Sequence, residues 1–445
     1  MKQNRSNQDA PNIPADLPVA GRAKALGVLI PVFILCIGFL LGLCWFLRPA
    51  VSETEKRELT KFPTLTVDDF NSGAFTDGVS VWYADTFPGR EGLIKAYQSI
   101  QGCFGIRTEQ FQASGGEDVP TGSMGDTPTP DRPDGGGEGG ETIGGHYMSG
   151  DTAYELYAFN DAGARRYATL IRQAAASLEG KAVVYDMVVP LHYSYGLGAD
   201  VQDELNLPNA AEVTSYLYSG MGDSVHTVDA HASLMAHRDE YLYYRTDHHW
   251  TATGAYYAYE AYCREAGITP TPLSSYEKLA FEGFLGTLYS KMEQPASLRK
   301  HPDTVEAYVP LGTNAMVTHT PADGVIDHYP IVNRETDDWY NAATKYNCFI
   351  AGDNPLTEIH NENIASNRRG TAILLVKESF GNAFAPFLVD SYEYVYVIDY
   401  RHYDGDLVEF VTEKGVDDVL FLNNIVASTA GARLTEMERF VGMGN

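Results

Sequence analysis

Ala372-Ile373-Leu374-Leu375-Val376-Lys377-Glu378-Ser379-Phe380-Gly381-Asn382 opens with five apolar residues. Such a run fits a strand buried on both faces. It breaks off at a charged pair followed by a serine, and Phe380–Leu388 then has the composition of a helix. Ser379 is therefore expected where a strand ends and a helix begins. Open α/β sheets bind ligands at that carboxyl edge, and the free N–H groups of a helix start suit a developing oxyanion. Serine is also a common helix cap, so the pattern alone leaves nucleophile and cap as two readings.

The alternation extends in both directions. Tyr394–Ile398 and Val419–Leu422 read as strands, separated by a helix over Leu407–Glu413. Upstream, Asn160 or Asp161 caps a helix whose apolar positions run from Ala164 to Leu178. Ala182–Val189 and Val225–Val228 read as two further strands. Strands alternating with helices predict an α/β fold built on a parallel sheet. Residues 282–368, punctuated by Gly, Pro and Asn, read as an insertion of loops and hairpins.

At the front, Ala25–Leu47 carries no charge and is flanked by Arg22, Lys24 and Arg48. Roughly twenty apolar residues suffice to cross a bilayer as a helix. Lys2, Arg5, Arg22 and Lys24 outnumber Asp9 and Asp16, so residues 1–24 are expected in the cytoplasm and residues 48–445 outside. The chain is thus expected to be a single-pass membrane protein with an extracytoplasmic body; the alternative is a cleaved signal peptide, for which the run is long and no clear A-x-A site follows. A helix is expected over Glu91–Gln101. Residues 113–145 are rich in Gly, Pro, Thr and Asp and read as a low-complexity insertion with too little apolar surface to fold by itself.

The net charge of −27 argues against nucleic-acid partners, whose phosphates it would repel. Cys36 and Cys44 fall inside the apolar run, leaving Cys103, Cys263 and Cys348 outside it. Three is odd, so at most one bridge can form within the chain. No C-x-x-C occurs, and neither a metal nor a cofactor is expected.

A second stretch, Tyr243-Tyr244-Arg245-Thr246-Asp247-His248-His249-Trp250, places an acid, two imidazoles and an indole before a helix over Ala252–Glu265 that Thr251 can cap. A carboxylate two residues before an imidazole can orient the ring and fix its tautomer. In an extended turn, neighbouring side chains point apart, so one histidine of the pair is expected to share a direction with Asp247. Two decoys are set aside. Gly222-Asp223-Ser224 precedes a strand instead of following one and reads as a turn. Asp247-His248-His249 also matches the metal motif of DHH phosphoesterases, but those need a later Gly-Gly-His, and Gly144-Gly145-His146 lies on the wrong side. Gly352-Asp353-Asn354 reads as a loop.

Together these stretches resemble the DHHW protein family. They are also similar to the extracytoplasmic alginate O-acetyltransferases, whose domains are SGNH-hydrolase-like. The resemblance rests on the Asp247–Trp250 and Lys377–Phe380 blocks, with weaker support from Ser52–Pro63, Asp85–Arg90 and Ile398–Arg401. It implies a circularly permuted SGNH-like (flavodoxin-like) sheet and a catalytic triad of Ser379, His249 and Asp247, with His248 as the intervening residue. Asn423, Asn424, Arg401 and Asn382 are the oxyanion or substrate-binding residues it implies. Glu378 stands where the family more often has Asp, and no Gly matches the family's second block. The implied activity is O-acyl transfer, chiefly of acetyl, to a cell-surface polysaccharide, or ester hydrolysis, with a membrane-bound O-acyltransferase as a possible donor partner. The alternative is a non-catalytic envelope protein that binds glycan in the same cleft.

Overall fold

In a computed structural model of the chain, the described residues are Arg48, scattered positions between 51 and 88, and residues 141–143, 145–319, 326–335 and 341–443. The chain divides into two units, Met1–Ile106 and Arg107–Asn445. Ala25–Leu47, the helix expected over Glu91–Gln101 and nearly all of 113–145 lie outside the described residues. No helix among the described residues is long and apolar enough to cross a membrane.

In the first unit, Val51–Ser52 pairs antiparallel with Arg57–Glu58. The Arg48 guanidinium lies 4.0 Å from the centre of the Trp82 ring and donates to Thr86 Oγ1 at 2.7 Å.

The second unit begins its α/β alternation at helix α1 (Asp161–Ser177), capped by Asn160 Oδ1, which accepts from Gly163 N at 2.8 Å. Strand β1 (Val183–Val189), helix α2 (Ala210–Ser219), strand β2 (Val225–Thr227) and helix α3 (Ala252–Ala266) follow. Then come strands β3 (Ala315–His319), β4 (Ile326–Pro330), β5 (Leu356–His360) and β6 (Ala372–Lys377). Helix α4 (Gly381–Leu388), strand β7 (Tyr394–Asp399), helix α5 (Leu407–Lys414), strand β8 (Asp418–Asn424) and helix α6 (Gly431–Val441) complete the order.

The eight strands form one sheet in the order β4-β3-β5-β7-β6-β8-β1-β2. Strands β7, β6, β8, β1 and β2 run parallel. Strands β5, β3 and β4 join them antiparallel, beyond β7. The sheet is therefore mixed, not parallel throughout as expected. Its antiparallel part comes from the segment read as an insertion of loops and hairpins, whose strands mix polar residues among the apolar ones and so show no continuous apolar run.

Every residue of β6 is buried, and so is every residue of β1 after the first. Successive side chains in a strand face opposite ways, so the sheet centre is covered on both sides. Fully burying a Leu, Ile or Val contributes about 1.5–3 kcal/mol. Strand β6, which ends just before Ser379, is thus a rigid mount. Helix α1 packs against α6, and α3 against α4. Two smaller elements flank the sheet: a hairpin pairing Glu277–Phe284 with Asp303–Val309, and a meander of Glu141–Ile143, His146–Ser149 and Thr152–Glu155. Cys263 and Cys348 are buried free thiols.

Candidate active site

Strand β6 delivers Lys377 at its last position, and the turn Glu378-Ser379-Phe380 leads directly into α4. Glu378 and Phe380 are buried while Ser379 is partly exposed, so the hydroxyl is the accessible group of the turn. The helix cap is Phe380, with no side-chain capping bond. The Ser379 hydroxyl lies instead 2.7 Å from His249 Nε2 and 3.2 Å from Glu378 Oε2. It carries one hydrogen, and the shorter contact directs it to the imidazole.

Asp247 sits at the opposite nitrogen of that ring. Its Oδ1 accepts from His249 Nδ1 at 2.6 Å and from His249 N at 3.0 Å. Its Oδ2 accepts from the backbone N and the hydroxyl of Thr287, both at 2.7 Å. Burial alone would raise this carboxyl, but His249, His248 and the Thr287 N–H outweigh it and hold Asp247 well below the usual carboxylate range. An ionised Asp247 fixes the Nδ1–H tautomer and leaves Nε2 free to take a proton from Ser379. The structure thus joins Asp247, His249 and Ser379 in one hydrogen-bonded line.

Several long-range contacts hold this line in place. Gly286 lies so close to Asp247 that a Cβ there would fall 2.2 Å from the aspartate Cβ. The buried Asp303 accepts from Thr246 N at 2.8 Å and Thr246 Oγ1 at 2.6 Å, pinning the residue before Asp247. Trp250 Nε1 donates to the Phe380 carbonyl at 2.9 Å, tying the histidine loop to the serine turn. Tyr346 stacks on His249 with ring centres 4.1 Å apart and donates its hydroxyl to the Ser379 carbonyl at 3.1 Å. Nothing in the sequence around Gly286, Thr287, Asp303 or Tyr346 signals these roles, because they arise only from the hairpin and loop folding back.

The two histidine rings do not point apart. Their centres are 3.9 Å from each other, and His248 Nδ1 lies 2.6 Å from Thr287 Oγ1. Thr287 gives its one hydrogen to Asp247, so His248 must donate from Nδ1. Burial, reinforced by His249, pushes His248 well below the usual imidazole value against the pull of Asp247. Donor atoms of Asp247, His248 and His249 lie within 4.8 Å of one another. The Asp247 oxygens already accept four hydrogen bonds, and His249 Nε2 faces the serine, so these atoms serve the hydrogen-bonded line.

The other expected residues divide. Asn424 is adjacent, its backbone N donating to Glu378 Oε1 at 3.1 Å while its side chain accepts from Ala427 N at 2.9 Å. Asn423, one step along β8, points to the opposite face. Its amide is engaged with the Tyr400 hydroxyl at 2.8 Å and the Tyr167 hydroxyl at 3.2 Å, so it is not available to an oxyanion. Arg401 and Asn382 belong to a buried ionic network. Lys377 Nζ lies 3.0 Å from Asp353 and 2.9 Å from Asp399, and Arg401 reaches Asp353 at 2.8 Å and Asp399 Oδ1 at 2.7 Å. Burial would raise Asp353 and Asp399, but the two cations hold both low. Asn382 donates to Asp353 at 2.9 Å, and its Oδ1 is buried with no protein partner among the described residues. Asp353, expected to be a plain loop residue, is thus the link between Lys377 and Asn382. Burial pushes Glu378 up, against the pull of Arg401 and His249. Glu155 of the meander is pushed up in the same way, with Lys291 and His249 opposing. Ser224 lies exposed in the turn before β2, as expected.

The family model described as DHHW protein matches residues 55–127 and 120–398. A DHHW family protein from Eubacterium siraeum, solved by crystallography, is similar at 29% identity and a TM-score of 0.61, covering 68% of this chain and 98% of its own. Bacillus cereus PatB1, solved with a sulfonyl adduct, shares the fold at 16% identity and a TM-score of 0.53, covering 65% of this chain and 96% of its own. The O-acetyltransferase domain of Pseudomonas putida AlgJ aligns over 65% of this chain and 96% of its own, at 15% identity and a TM-score of 0.34. Among curated proteins none matches.

Proposed function

The chain belongs to the DHHW protein family, and on that premise we propose that it is an O-acyltransferase or esterase acting on cell-surface polysaccharide, with acetyl as the transferred group. The observation that carries this reading is the line from Asp247 through His249 to Ser379, closed by hydrogen bonds of 2.6 and 2.7 Å.

In this reading His249 Nε2 takes the Ser379 proton as Oγ attacks the acyl carbonyl carbon. The tetrahedral oxyanion develops beside the N-terminal end of α4, whose positive potential favours it. Collapse breaks the bond to the donor alkoxide, which receives the proton from His249, and leaves acyl-Ser379. A sugar hydroxyl then gives its proton to His249 and attacks the acyl carbon, and the displaced Ser379 Oγ takes that proton back from His249; water in the same role gives hydrolysis. The chain's own residues supply base, orienting acid and nucleophile. Ala25–Leu47 would anchor the body outside the membrane, where a membrane-bound O-acyltransferase could hand over acyl groups.

Treating the purified full chain with a sulfonyl fluoride and mapping the adduct by peptide mass tests the nucleophile. The adduct is expected on Ser379 and absent in Ser379→Ala. Sulfonylation of another residue, or unchanged acetyl-ester turnover in Ser379→Ala, would overturn the assignment. The PatB1 structure with its sulfonyl adduct makes this reagent class the natural choice.

A further inference from the structure

The meander reaches the triad through its last strand, Thr152–Glu155. Ala153 N donates to the Arg245 carbonyl at 2.9 Å, two residues before Asp247. Tyr289 N of the short helix Thr287–Lys291 donates to the Thr246 carbonyl, also at 2.9 Å. These two backbone bonds fix the strand and the helix to the same loop. Ala153 is fully buried against Leu288, Tyr289 and Met292. Glu155 lies two positions further on, and alternation along the strand turns it to the same face. Its partner across the meander is His146, whose imidazole lies within electrostatic reach of His248.

Where Ala153 is covered, Glu155 is open. The residue is partly exposed, and its carboxyl accepts no hydrogen bond and forms no ion pair among the described residues. Its charged neighbours are nonetheless those of the site: Lys291, His249, Glu378 and Asp247. Burial pushes this carboxyl up, and the positive groups only oppose it. A half-desolvated carboxylate with no donor of its own gains from any ligand that brings one. A ligand that brings a second negative charge meets Glu155 and the ionised Asp247 together. Lys291 is exposed at the end of its helix, so solvent screens it more strongly than the carboxyl.

We propose that Glu155 is the charge filter of the Ser379 site. It accepts a hydrogen bond from a hydroxyl or ammonium of the sugar unit seated there, and it turns away units carrying carboxylate, sulfate or phosphate. The inference rests on the acyltransferase reading and narrows its substrate to a glycan without negative charge at the acylated unit.

Sulfonyl fluorides of different charge test this without the natural acceptor. Rates of Ser379 labelling on the purified full chain are compared for cationic aminoethyl-benzenesulfonyl fluoride, neutral phenylmethanesulfonyl fluoride and anionic fluorosulfonyl-benzoate. Each rate is taken as the ratio of wild type to Glu155→Gln, so that the reagent's intrinsic reactivity cancels. Glu155→Gln should slow labelling by the cation about five- to tenfold and speed labelling by the anion by a similar factor. The neutral reagent should stay within about twofold. Should Glu155→Gln not fold, Glu155→Thr removes the same charge with a good strand former. Equal factors for all three reagents would make Glu155 a structural residue, and unchanged rates would place it away from the serine; either result overturns the filter alone. If no reagent labels Ser379 in wild type, the nucleophile reading falls, and the filter with it.

Discussion

On the imidazole side of the site, the hydrogen bonds close on themselves: Asp247 accepts four, Thr287 serves both Asp247 and His248, and Asp303 pins the residue before. Across a single hydrogen bond, the serine side is open. Glu378 is buried and pushed up, Asn382 has an oxygen without a partner among the described residues, and the Ser379 hydroxyl has two acceptors for one hydrogen. The imidazole is held in place before anything binds, and in the proposed reaction that spares reorganisation. The nucleophile turn keeps polar capacity in reserve, and that is where bound ligand can be felt.

The largest effect should come from breaking the preset side. Asp247→Asn retains the shape but loses the charge that selects the tautomer, and acetyl-ester turnover should fall about 10³–10⁴-fold. Turnover within tenfold of wild type would show that the imidazole is oriented by other groups. Thr287→Val, next in size, removes the hydroxyl shared by Asp247 and His248 and spares the backbone N–H. One bond to a charged group should cost about tenfold or somewhat more in kcat, with KM little changed. An effect confined to KM would instead place Thr287 at the substrate.

The smallest effect sharpens the contrast, because the two carboxylates titrate in opposite senses. Asp247 is held low, so its contribution to stability is present above the ordinary Asp value of about 3.9 and is lost as pH falls through its native value. Glu378 is pushed up, so the native state keeps its proton longer than the unfolded chain does. Its contribution is intact below the ordinary Glu value of about 4.3 and declines as pH rises from there through the native value. Glu378→Gln cannot ionise. Denaturation midpoints measured against pH should show wild type losing ground to this variant as pH rises from about 4. Parallel profiles would mean that Glu378 is ionised in the native state like any surface glutamate.

What could be read from the sequence was local. The strand over Val183–Val189, the helix begun at Thr251 and the Lys377–Phe380 junction announce themselves through contiguous apolar runs and cap residues. The pairing of Asp247 with His249 follows from a spacing of two. Asn423 and Asn424 could not be told apart, because strand alternation sends one inward and the other toward Glu378, and phase depends on the register with β1. The supports of the preset side come from residues about 40 or more positions downstream of the loop, a distance over which composition carries no signal. The antiparallel strands β3, β4 and β5 were equally hidden, since His, Asp, Thr and Glu interrupt their apolar residues.

His249 and Ser379 are 130 residues apart, and the serine arrives second. At roughly 5–20 residues per second of synthesis, His249 is made on the order of ten seconds before Ser379 exists. Strand β6, which mounts Ser379, lies between β7 and β8, both made later still. A nascent chain therefore holds no assembled triad, and a chain cut short before β8 lacks the neighbour that seats the serine. The acyl chemistry proposed above is thus open only to a chain made through β8.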